Sequence, residues 1–286
     1  MSLFDVYIAI DFSGSRDVAR QKSSIAFAEV EHGSSPRVEK DRFSRFDVVL
    51  YLIQRIPHHV SRGKTVLCGF DFSYSFPQGL WHSATDLPEN WGDMIRGMAN
   101  GVANLPAIVE KPESNTRKWA EMVNSRIARN LSVQAGPFWG PGFSRSTNPG
   151  FPFSKAQFGE FRLVEKRAPG FKTIFQIGGA GSVGLQSLCG IPYLFHLQTT
   201  CAQQKVSLHS WPFDGWEPEG SSAVLVEWYP ALYNRETKSH ESDALACVTW
   251  ARDLDQRGEL RDYFVPALSD AEKAQAAIEG WVLGVL

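Results

Sequence analysis

Two stretches decide the reading of this chain: Val6-Tyr-Ile-Ala-Ile-Asp-Phe-Ser-Gly-Ser15 and Thr65-Val-Leu-Cys-Gly-Phe-Asp-Phe-Ser-Tyr-Ser75. Each is a short apolar run that ends in Asp-Phe-Ser. Such a run, closed by turn residues, predicts a strand buried on both faces. Each strand therefore carries an acid, Asp11 or Asp71, at its carboxyl end.

The segment between them sets how the two strands meet. Ser24–Glu31 reads as a second strand and Arg37–Phe43 as a third, more polar one. Ser44, with Asp47 three residues on, forms a capping box that opens a helix. That helix carries Phe46, Val49, Leu50 and Ile53 at helical spacing and weakens at Pro57. Three strands joined by turns form an antiparallel meander, and a helical crossover returns the fourth strand parallel to the first. The second and fourth strands then flank the first. Asp11 and Asp71 meet where strand order reverses, which is where open α/β sheets bind ligands.

Beyond the fourth strand the pattern changes. An insertion is expected at about 77–170, with helices near 91–103 and 116–130 and a Gly/Pro/Phe-rich run over 136–153. Lys172–Ile177 then reads as a strand, Gly178–Gly184 as a glycine loop, and Val183–Cys189 as a short helix disrupted by Pro192. Val206–Trp211 and Ala223–Trp228 are strands, while His240 and Ala271 open late helices. The expectation is one α/β domain over 1–286, a mixed five-stranded sheet flanked by helices.

Two carboxylates held close repel unless a cation or proton lies between them, and hard oxygen donors favour Mg²⁺ or Mn²⁺. Two more acids can join them: Glu227, ending the strand Val224-Leu-Val-Glu227, and Asp243, in the first turn of the helix that opens at His240. Four carboxylates from three strands and a helix suit a pair of metals about 4 Å apart, the spacing used in phosphoryl displacement. Ser13, Ser73 and His240 are auxiliary candidates.

This constellation resembles the RNase H-like superfamily, in particular its RuvC-type branch. Residues Asp243-Ala-Leu-Ala246 are similar to the late helix of RuvC-type resolvases. The chain also resembles domain-of-unknown-function family 429, through Asp11, Asp71, Gly181-Ser-Val-Gly184, Glu227-Trp-Tyr-Pro230, Asp243-Ala-Leu-Ala246 and Glu279-Gly-Trp281. RuvC-type helices often carry an acid three residues before that Asp, and here His240 takes the position. The resemblance implies an RNase H-like fold and metal-dependent phosphodiester hydrolysis, a nuclease activity. The rival expectations are an actin-like nucleotide hydrolase or kinase and a non-catalytic binding protein on the same fold.

Composition narrows the partners. The 286 residues are 43% apolar and 21% charged, with a net charge of −2. That excludes attachment to nucleic acid by bulk charge. Charge is uneven, however. The segment 111–172 is basic and interleaves Trp119, Phe138, Trp139, Phe143, Phe151, Phe153 and Phe158, a pattern suited to nucleic acid. No apolar stretch approaches the ~20 residues of a membrane helix. Cys68, Cys189, Cys201 and Cys247 are scattered, and Met1–Asp5 lacks the basic start of a signal peptide. Both features point to the cytoplasm. Gly179-Ala-Gly-Ser-Val-Gly184 matches a dinucleotide fingerprint, yet no acid follows from Leu185 to Phe213 to hold a ribose. His58 and His59 lack metal-ligand spacing and read as surface or structural.

Overall fold

The computed structural model describes residues 2–102, 104–108, 115–147, 158–168, 170–179, 182–218, 220–234 and 239–286. The chain opens with β1 (Val6–Asp11), α1 (Val18–Ser24), β2 (Ala26–Glu31), β3 (Arg37–Glu39), α2 (Arg45–Val60) and β4 (Val66–Phe70). There follow α3 (Leu80–Thr85), α4 (Trp91–Asn100), α5 (Thr116–Leu131), α6 (Leu163–Arg167) and α7 (Gly184–Gln203). Then come β5 (Leu208–Ser210), β6 (Ala223–Glu227), α8 (His240–Gln256), α9 (Leu260–Phe264) and α10 (Asp270–Glu279).

The chain divides into two compact units. One comprises Met1–Phe72, His196–Ser269 and Trp281–Leu286, and the other Ser73–Phe195 and Asp270–Gly280. The first unit holds the sheet. Among the described residues it has six strands in the order β3-β2-β1-β4-β6-β5, one more than expected. β5, a three-residue edge strand parallel to β6, falls within the expected strand Val206–Trp211. β1 pairs antiparallel with β2 and parallel with β4, as the meander and crossover require. Every residue of β1, β4 and β6 is buried, which explains why these strands read as unbroken apolar runs.

Register assigns each side chain a face, because cross-strand partners share one and alternation moves the next residue to the other. Tyr7, Ala9 and Asp11 share a face with Val30, Ala28 and Ala26 of β2 and with Leu67 and Gly69 of β4. α8 packs on β1 and β2. Small residues here, together with Ala244, Cys247 and Ala251 of the helix, let it lie close to the sheet. Gly69 is required by the close approach of β6 and the residue after it. A Cβ there would stand 2.0 Å from the Val226 carbonyl oxygen and 2.8 Å from Trp228 Nε1. The far end of α8 is clamped by Asp255, whose buried carboxylate accepts the Leu3 and Phe4 N–H groups and the Tyr7 hydroxyl.

α2 opens with the expected capping box of Ser44 and Asp47 but runs on through Pro57 to Val60. Its buried face is Val48, Val49, Leu52 and Ile56, while Phe46 and Leu50 are exposed. α7 likewise continues through Pro192, where a stop was expected. Around Pro192 the helix buries Leu188, Ile191, Leu194 and Leu197, and burial on this scale outweighs one lost backbone hydrogen bond. Lys172–Ile177 forms no strand; Gln176 makes a single bridge to Trp139. α1, α3, α6 and α9 are short helices that the sequence pattern did not single out.

The second unit has an aromatic core in which Phe76, Trp119, Phe138, Phe158 and Phe175 adjoin one another. Arg162 is fully buried, paired with Glu165 at 2.7 Å and bonded to the Glu279 carbonyl.

Candidate active site

β1 and β4 deliver the two strand-end acids side by side. The ladder continues past the strands: the Asp71 N–H donates to the Ile10 carbonyl at 3.2 Å, and the Phe12 N–H donates to Asp71 Oδ1 at 2.7 Å. Asp11 is 6% exposed, and its Oδ1 lies 2.8 Å from His240 Nδ1. The imidazole comes from the first residue of α8, whose start is fixed by Ser239 and Ser242 capping each other. Asp243, one turn on, accepts from Asn234 Nδ2 at 3.1 Å.

Cys247 lies a further turn along α8. Burial pushes its thiol well above the ordinary range, and Asp71, Asp11 and Asp243 add to the shift. Burial also raises the Asp11 carboxyl, against the hydrogen bond and charge of His240 and with the help of Asp243 and Glu241. His240 is raised in turn, chiefly by its hydrogen bond to Asp11.

The other candidates fall elsewhere. Glu227 is buried, but it is in register with Phe70, which is in register with Ile10. It is therefore one position out of phase with Asp11, and its Cβ leaves the sheet on the opposite face. Ser13 belongs to the loop framework: its Oγ accepts from Ser24 at 2.7 Å, and its carbonyl accepts from Arg45 at 2.8 Å. Ser73 lies in the second unit, where its N–H donates to Ser187 and its Oγ accepts from Arg162. Arg45, 1% exposed, also binds the Ser15 carbonyl, so a buried guanidinium shapes the loop after β1. Its place in the sequence, just after a helix cap, gives no sign of this.

Among the described residues, one group of three metal-ligand side chains has donor atoms within 4.8 Å of one another: Glu29, Glu31 and His59. The four acids expected at the strand ends form no such group. The missed trio joins β2 to the last turn of α2. Its only trace in the sequence is Glu29, a charge in the otherwise apolar stretch Ala26-Phe-Ala-Glu-Val30.

In the basic segment, Trp119, Phe138 and Phe158 are core residues and not a stacking surface. Lys118, Arg129, Lys166, Arg167 and Lys172 remain exposed. Phe151, Phe153 and Lys155 lie outside the described residues, as do Ala180 and Gly181 of the glycine loop. No helix among the described residues is long and apolar enough to cross a membrane.

Fold and site together define an α/β protein in which Asp11 and Asp71 lie side by side at the carboxyl ends of two adjacent parallel strands. No family model matches the chain, and no curated protein or solved structure matches it either.

Proposed function

We propose that the chain is a metal-dependent phosphodiesterase, a nuclease on an RNase H-like fold, with Asp11, Asp71 and Asp243 as the Mg²⁺ or Mn²⁺ ligands. One observation carries this reading: β1, β4 and α8 join at Asp11, through the Phe12–Asp71 and Asp11–His240 hydrogen bonds. The donors are carboxylate oxygens, the class that hard divalent ions take. When bound, divalent ions supply an activated water and neutralise the leaving oxygen.

The chain's own residues do the rest. Arg45 holds the loop carbonyls of Ser13 and Ser15 and so the path of the chain beyond Asp11. The Phe12 N–H orients Asp71, and Asp11, 2.8 Å from His240 Nδ1, orients the imidazole and raises its pKa. Glu227, on the other face, serves as a buried strand residue in this reading. The exposed cations of the second unit would engage the phosphates of a nucleic acid. The buried thiols of all four cysteines are in keeping with a reducing cytoplasm.

The test is cleavage of single-stranded and branched DNA and RNA with Mn²⁺, using Asp11→Asn and Asp71→Asn. Both variants should keep the wild-type circular dichroism and lose cleavage. Metal-dependent cleavage that survives both changes would refute the assignment. A thermal shift with ATP, and none with oligonucleotide, would favour the nucleotide hydrolase instead.

A further inference from the structure

A second cluster stands at the other end of the sheet. Glu31 is in register with Val6, the first residue of β1, whereas Asp11 is the last. Residues of a strand rise about 3.3 Å apiece, so the two clusters are separated by roughly 15 Å.

Glu29 and Glu31 point from β2, and His59 comes from α2. His59 is 1% exposed, and neither of its ring nitrogens makes a hydrogen bond. A buried imidazole left so is costly unless something else satisfies it. Its Nε2 lies 3.5 Å from Glu29 Oε2 and its Nδ1 3.9 Å from Glu31 Oε1; an ion takes only one ring nitrogen, and one donor atom from each of the three residues lies within 4.8 Å of the others. Two donors about 2.0–2.1 Å from one tetrahedral zinc ion stand roughly 3.3 Å apart. The His59–Glu29 spacing is therefore poor for a hydrogen bond and close to that of two ligands sharing an ion.

We infer that Glu29, Glu31 and His59 form a binding site for a zinc-like divalent transition-metal ion that clips α2 to β2. The mixed oxygen and nitrogen donors select such an ion over Mg²⁺ or Ca²⁺, which take oxygen sets. The surroundings match those of metal-ligating carboxylates, which are themselves hydrogen-bonded. Arg55 donates to both Glu29 oxygens, at 2.8 and 2.5 Å. Access is from the Glu31 side, 35% exposed, where Lys64 pairs with the carboxylate. Lys64 is itself 29% exposed, and an ion pair this open is easily given up. Ion entry amounts to replacing Lys64 at Glu31.

The experiment uses chelator-stripped full-length chain titrated with zinc, reading bound metal per chain and the melting temperature. Wild type and Asp11→Asn should each take up one zinc at this site and melt at a higher temperature. Glu31→Gln, at a partly exposed position that the fold tolerates, should lose both responses. Lys64→Met, which removes the competing cation, should bind about tenfold more tightly. Equal uptake and stabilisation in wild type and Glu31→Gln would overturn the site, as would no stoichiometric uptake by wild type with zinc in large excess. Because Asp11→Asn is the background, failure here is separable from failure of the nuclease reading.

Discussion

Asp255→Ala should be among the most damaging single changes in the sheet-bearing unit. The carboxylate accepts the Ser2 hydroxyl at 2.9 Å, the Leu3 N–H at 2.9 and 3.0 Å, the Phe4 N–H at 2.9 Å and the Tyr7 hydroxyl at 2.6 Å. Not all of these donors suffer equally when it goes. Ser2 and Leu3 are half-buried and can turn to water. Tyr7 can redirect its proton to the Phe4 carbonyl, 2.9 Å away. The Phe4 N–H is enclosed by a residue only 3% exposed and is left without an acceptor. An orphaned buried donor costs about 1–3 kcal/mol, and hydrogen bonds to a charged group contribute about 1.5–3 kcal/mol. The sum, with the cavity left by the side chain, is about 3–5 kcal/mol. For a domain of this size that corresponds to roughly 10 °C in melting temperature. Tyr7→Phe removes one bond without stranding a donor and should lower it by only about 3 °C. Thermal unfolding of both variants, with hydrogen exchange at the Leu3 and Phe4 amides, checks this. A loss below about 3 °C for Asp255→Ala, with those amides still protected, would show that the chain start is held by something else.

Two further outcomes follow from the same geometry. His240 has its folded pKa raised by Asp11, so the stability it contributes is full below the ordinary imidazole value of 6.5 and is lost as pH rises through the higher folded value. In metal-free protein its NMR titration should lie above 6.5 and return toward it in Asp11→Asn; an unchanged midpoint would break the link. Gly69→Ala drives a methyl to within 2.0 Å of the Val226 carbonyl, between β4 and β6, and should leave the protein largely insoluble or lower its stability by about 3 kcal/mol or more. A soluble variant with wild-type melting would disprove that close approach.

The legible features are those whose cause is local. Fully buried strands read as apolar runs, so β1, β4 and β6 were visible, and with them Asp11 and Asp71 at their ends. The Ser44–Asp47 box needed only four consecutive residues. Failures came where a distant surface decided. A proline usually ends a helix, yet α2 and α7 run through Pro57 and Pro192 because their buried faces hold them in place. Phe46 and Leu50 have helical spacing but are exposed; Val49 of the expected face is buried, together with Val48, Leu52 and Ile56. Trp119, Phe138 and Phe158 looked like a stacking surface and are one another's core.

For the candidate site the division is similar. Local sequence determined that two matched acids end two buried strands, and that a helix opens at His240 with Asp243 in its first turn. Tertiary structure decided which groups meet. Strand register moved Glu227 to the opposite face, a matter of one residue in phase. The lie of α8, clamped at Asp255, brought His240 to Asp11 across 229 positions. The pairing of β2 with α2 assembled Glu29, Glu31 and His59 from segments that are unremarkable when read alone. Strand ends and caps are set by neighbours along the chain, whereas a shared site depends on register and helix placement, which only packing supplies.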